Sequence, residues 1–223
     1  MSQVIFTKQS ATPSAPAANK VALYSISDTR PRLARVDDSG AVAVLMDSLN
    51  HALNGYSTSN GTGYAADTYL AGSAITIPTA GAWRAGTRYR CVFDMAKTAA
   101  GVATPIITVR MGTLGTTADA SVLALTFGAG TAAADTGIFE LLLTFRTVGS
   151  GTAAVVQGVA RCSHNLVATG LTSTGAGGVG ILTGTSAGFN STTQTVIGVS
   201  FNGGASFSGT CTLVQAALDM IGY

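Results

Sequence analysis

The sequence predicts an all-β protein: a jelly-roll-like β-sandwich preceded by an extended N-terminal arm and a small hairpin. Three observations lead there. Period-two alternation recurs, most clearly over residues 86–96, where Tyr89, Cys91, Phe93 and Met95 fall on one side and Arg88, Arg90 and Asp94 on the other. The breaks between apolar stretches are rich in glycine, as in Gly112-Thr113-Leu114-Gly115 and Phe127-Gly128-Ala129-Gly130-Thr131. Strand-like stretches at about 67–77, 87–97, 104–111, 121–127, 137–147, 152–161, 178–183, 194–201 and 208–218 succeed one another with no convincing helix between them. That pattern excludes an alternating α/β sheet.

Composition narrows the class further. A chain of 223 residues can bury a sizeable core. Only 10% of it is charged, against roughly a quarter in an ordinary soluble domain. Gly, Ala, Ser and Thr must therefore cover the surface, as expected where copies of the chain shield one another. The mean hydropathy is +0.40, yet no apolar run approaches the roughly 20 residues of a spanning helix, so no membrane insertion is expected. A net charge of +2 is too small to expect nucleic acid as a partner. Cys91, Cys162 and Cys211 form an odd set without CxxC spacing, in apolar strand-like contexts, and read as reduced buried thiols. The first residues, Met-Ser-Gln-Val-Ile-Phe-Thr-Lys, lack the apolar region of a secretory signal, and synthesis in a reducing cytoplasm is expected.

In chain order, residues 1 to about 20 read as an arm. Val4, Ile5 and Phe6 are a short sticky segment, followed by a Pro- and Ala-rich stretch that makes a semi-rigid linker. A disordered tail is the competing reading. Val21-Ala22-Leu23-Tyr24-Ser25-Ile26 and Arg32-Leu33-Ala34-Arg35-Val36 then form a hairpin, with turns at residues 27–31 and 37–40. It is too small to be stable alone. Lys20, Arg30, Arg32 and Arg35 make up a third of the 12 basic residues of the chain, which marks the hairpin as a docking piece. The expected division is an attachment arm and hairpin over 1–40, a connecting segment over 41–66, and a sandwich over 67–223.

Asn19-Lys20-Val21-Ala22-Leu23-Tyr24, followed by Arg32-Leu33-Ala34-Arg35-Val36-Asp37-Asp38-Ser39-Gly40, resembles the N-terminal attachment segment of tailed-bacteriophage fibre and head-decoration proteins. In that family a Pro/Ala-rich stretch leads to a Lys-Val-x-Leu-Tyr strand, and a short second strand ends in an Asp-x-Gly turn. Residues 86–94 and 107–113 are similar to strands of the sandwich that many such proteins carry. The chain departs from the pattern at Arg30-Pro31, where the family more often has Asp-Gly, so a wider turn is expected there. The resemblance implies a non-enzymatic virion protein, assembled in the host cytoplasm and homo-oligomeric, with a trimer expected. It further implies attachment to capsid, neck or tail through Val4, Ile5, Phe6, Leu23, Tyr24, Arg32 and Arg35. Fibre and capsid decoration share this anatomy and stay open.

After the hairpin, residues 41–46 read as a strand and residues 47–55 as a short helix, capped by Asp47 and ended by Gly55. Its thin apolar stripe of Leu49, Ala52 and Leu53 would be buried around a threefold axis. Pro78 and Pro105 fall at strand ends. Residues 211–223 fit either a helix or a strand that closes the sandwich, and the β-rich context favours the strand.

The motifs that could carry chemistry lack their surroundings. Gly175-Ala176-Gly177-Gly178-Val179-Gly180 matches a dinucleotide-binding pattern, but no helix follows it. Gly184-Thr185-Ser186-Ala187-Gly188 matches a nucleophile elbow, but no histidine lies beyond His164. His51 and His164 stand without an HxH or HxxxH companion, and Asp37 and Asp38 fall short of the six to eight oxygens that calcium takes. Glu140 would suit a glycosidase acid only if it faced inward, and its neighbours Phe139 and Leu141 direct it outward into an ion pair. No catalytic, cofactor or metal residue is expected. The reading from another class is a host-surface carbohydrate-binding module, with Trp83 and Arg84 as the glycan contact and Tyr56, Tyr64 and Tyr69 as aromatic neighbours, set against a reading of Trp83 as a core or interface anchor.

Overall fold

The computed structural model describes residues 8–9, 14–18, 20–27, 31–39, 42–47, 52–57, 61–77, 80–98, 101, 104–166, 169–173 and 179–220, among which there is no helix. The chain divides into two compact units, Met1–His51 and Ala52–Tyr223.

The first unit is a four-stranded sheet in the order β1 (Lys8–Gln9), β2 (Val21–Ser27), β3 (Pro31–Asp37) and β4 (Val42–Asp47). The expected hairpin is its centre, with Val21 opposite Asp37 and Ser27 opposite Pro31. Pro31 opens its strand, where the missing amide hydrogen costs little. The hairpin is extended on both sides. Lys8 and Gln9 of the arm run parallel to Ser25 and Ile26, and β4 pairs with β3 from Val42–Val36 to Asp47–Arg32. Two strands are marginal and four are not, so these additions give the unit the ladder the hairpin lacked.

The second unit is a β-sandwich of two antiparallel sheets. Its strands are β5 (Ala52–Gly55), β6 (Gly61–Gly63), β7 (Thr68–Tyr69), β8 (Ile75–Thr76), β9 (Arg88–Lys97), β10 (Ile106–Gly112), β11 (Ala120–Thr126), β12 (Asp135–Thr147), β13 (Val155–His164), β14 (Val179–Thr185), β15 (Val196–Asn202), β16 (Gly209–Cys211) and β17 (Leu213–Asp219). The larger sheet runs β14-β13-β12-β9, then a row shared by β16 and β17, then a row shared by β6 and β5. The smaller runs β11-β10-β15, with β7 and β8 end to end on the far side of β15.

Two expectations are corrected. The helix over 47–55 is absent from its described residues: Asp47 closes β4, and Ala52–Gly55 is strand β5, paired with β17 from Ala52–Asp219 to Gly55–Ala216. Residues 48–51 lie outside the described residues. Weak helix propensity over a short segment yields to a ladder with a preformed neighbour. The stretches at 67–77 and 208–218 are each two strands. The second breaks at Thr212, whose amide donates to the Asp94 carboxylate while its carbonyl accepts from the Asp94 amide at 3.0 Å. The C-terminal segment takes the closing-strand alternative: β17 lies between β9 and β5.

Aromatic rings join the layers. Phe93 and Phe139 are direct cross-strand partners in the larger sheet, stacked with centroids 5.2 Å apart. Phe201 of β15 meets both edge-on, at 5.9 and 5.4 Å, and Phe127 meets Phe139 at 5.4 Å. All four are buried. In the smaller sheet the central strand β15 is buried on both faces, whereas β11 at the edge keeps Ala124 and Thr126 exposed on its outer side. On the outer side of β15 the Tyr69 hydroxyl lies where a Cβ on residue 198 would sit, so only Gly198 admits the ring. Beside it Arg110 donates to Ser200 Oγ at 2.8 Å and pairs with Asp67.

Candidate interaction surface

Exposed aliphatic side chains of the sandwich gather on the outer face of the larger sheet. It follows from the alternation that builds the core. Along β12 the inward residues are Gly137, Phe139, Leu141, Leu143 and Phe145, so Ile138, Glu140, Leu142 and Thr144 point outward. Ile138 and Leu142 are about half exposed, and Ile181 of β14 and Val214 of β17 still more so. These are branched aliphatic side chains, which contact with another surface would remove from water.

Charged residues stand among them. Cross-strand register sets Glu140 between Arg161 and Val92, and Leu142 between Val159 and Arg90. Glu140 faces out as expected, and Arg90 engages one of its carboxylate oxygens through Nε at 2.9 Å and Nη2 at 2.8 Å. Beside Leu142 a groove of about 570 Å³ is lined by Arg88, Arg90, Thr144, Ala217 and Asp219.

The inward polar groups hold loops. Asp119 accepts four backbone amides, those of Thr113 and Leu114 at 3.1 Å, Gly115 at 2.7 Å and Thr116 at 3.4 Å. Asp135 and His164 form a pair that sequence reasoning missed, since 29 residues separate them. The Asp135 carboxylate meets His164 Nδ1 at 2.6 Å and accepts the amides of Leu171 at 2.9 Å, Thr136 at 2.9 Å and Leu166 at 3.3 Å. Both side chains are completely covered, and His164 Nε2 has no hydrogen-bond partner among the described residues. Nearby Lys97 donates to the carbonyls of Thr131 and Ala133, at 2.5 and 3.1 Å, and burial lowers the pKa of its ammonium. The only signal in the sequence was placement: Lys97, Asp135 and His164 all sit at inward positions near strand ends.

The residues singled out earlier are scattered. Val4, Ile5, Phe6 and His51 lie outside the described residues. Leu23 is half exposed on β2, and Tyr24, Arg32 and Arg35 belong to β2 and β3. Trp83 is 3% exposed, stacked on Phe145 at 5.2 Å, with its indole N–H donating to the Gln194 carbonyl at 2.8 Å. A ring covered on this scale has no face for a sugar, so the glycan platform on Trp83 and Arg84 is replaced by a core anchor. Tyr64 is likewise buried, against Phe201, while Tyr56 is exposed.

Ser186 of the elbow-like motif is a structural residue that accepts the Val156 amide at 3.0 Å. The glycine-rich run leads into strand β14, and its residues 175–178 lie outside the described residues. Burial pushes the thiols of Cys91, Cys162 and Cys211 up to about 12, which keeps them protonated and unreactive. Among the described residues no cluster of His, Cys, Asp and Glu could hold a metal, and no helix is long and apolar enough to cross a membrane.

Comparison of the chain with family models and with curated proteins gives no match in either case.

Proposed function

We propose that the chain is a structural protein of a bacteriophage virion, of fibre or capsid-decoration type, joined to the particle through its first unit and exposing the sandwich. The observation that carries this reading is the division of labour along the chain. A four-stranded sheet, begun by the segment that resembles phage attachment regions, forms one compact unit, and the inward polar groups of the other, the sandwich, secure its own loops. The low charge and the aliphatic outer face fit a protein surrounded by other virion subunits. Attachment works by strand addition and burial of apolar side chains from the arm and hairpin.

The test removes residues 1–51 and follows incorporation into particles. The truncated protein is expected to stay folded and to be missing from purified virions. Incorporation at the level of the full chain would overturn the reading.

A further inference from the structure

We infer that the sandwich pairs with a second copy of itself along the free edge of β14, in antiparallel fashion about a two-fold axis near Leu182. Among the described residues β14 hydrogen-bonds only to β13, so one side of a seven-residue strand presents unpaired amides and carbonyls. A row of such groups is completed by another strand.

Proteins keep free edges from pairing by charges, proline, bulges or shortness. Val179-Gly180-Ile181-Leu182-Thr183-Gly184-Thr185 has none of these, and its pairing with β13 is unshifted throughout. The edge is also well supported. Leu123 and Leu125 of β11 pack beneath it, their methyl groups within 2.7 to 3.3 Å of where a Cβ on residue 184 would stand.

The absence of charge selects the occupant. About Leu182 the strand also reads alike in both directions, with β-branched residues at 179, 181, 183 and 185 and glycines at 180 and 184, so an antiparallel second copy meets matching shapes and no charge. Here pairing about Leu182 sets Leu182 against Leu182 on the inner face and Gly180 against Gly184. On the outer face it sets Ile181, 60% exposed, against Thr183. This inference does not depend on the virion reading, and either can fail without the other.

Light scattering after size-exclusion chromatography tests it on the full chain, with Ile181→Lys/Thr183→Lys as the breaking variant and Leu114→Lys as control. Ile181, Thr183 and Leu114 are all exposed, so the variants fold, which circular dichroism checks. The wild type and Leu114→Lys are expected at an even multiple of the 22.3 kDa chain, and the double variant at half that mass. A monomeric wild type, an odd assembly, an unchanged mass in the double variant, or equal dissociation of Leu114→Lys would each overturn the proposal.

Discussion

Phe139 touches Phe93, Phe127 and Phe201 at once, so it fastens both strands of one sheet and both layers of the sandwich. Phe139→Ala is expected to lower unfolding free energy in urea by about 3–5 kcal/mol, the usual cost of emptying a site this enclosed. Asp119 has a different kind of importance, because its carboxylate gathers the amides of four successive residues, Thr113 to Thr116. Asp119→Ala is expected to cost about 3 kcal/mol, and Asp119→Asn less, since one acceptor oxygen survives. The thiols predict a pH effect. Their ordinary value is 9.0 and the fold raises it to about 12, so the folded state holds these protons more tightly than the unfolded chain. That contribution is complete below pH 9 and is lost as pH rises from there towards 12. Urea midpoints are expected to be flat from neutrality to about 9 and to fall steadily above it, and a thiol reagent is expected to label the cysteines only on unfolding.

At the scale of elements, the long alternating strands were legible and the short ones were not. Residues 87–97 and 137–147 announced β9 and β12 because their apolar period is carried by large side chains on one face. Nothing local distinguishes Ala52–Gly55 from a helix end. It becomes β5 because β17 offers it a ladder. The same holds for the break at Thr212, which is set by the carboxylate of Asp94 from a strand 118 residues away. The unit boundary gives a prediction at this scale. Ala52–Tyr223 is expected to fold alone, with Trp83, the single tryptophan, emitting as a buried indole. A red-shifted emission matching the urea-unfolded chain would show that the sandwich needs its leading unit.

For the whole molecule, the candidate surface was only half legible. A charge content of 10% led to the expectation that copies or partners cover the surface, but it could not say where. Outward Ile138, Leu142, Ile181 and Val214 come from three strands, and they share a face only because β14, β13, β12, β9 and β17 are neighbours in one sheet. The threefold association expected from a helical stripe loses that support, because Ala52 and Leu53 belong to a strand. Particle incorporation of the chain lacking residues 1–51 remains the prediction on which the virion reading stands.

By itself the sequence determined the all-β class, most strand positions and the buried thiols, because each follows from a period or a composition within a few neighbouring residues. Tertiary structure alone decided between the two readings of Trp83 in favour of the core anchor, brought Asp135 and His164 together, and left one uncharged strand at an edge. Those outcomes depend on which strands lie side by side, and pairing between distant segments is set by the closure of the whole sheet.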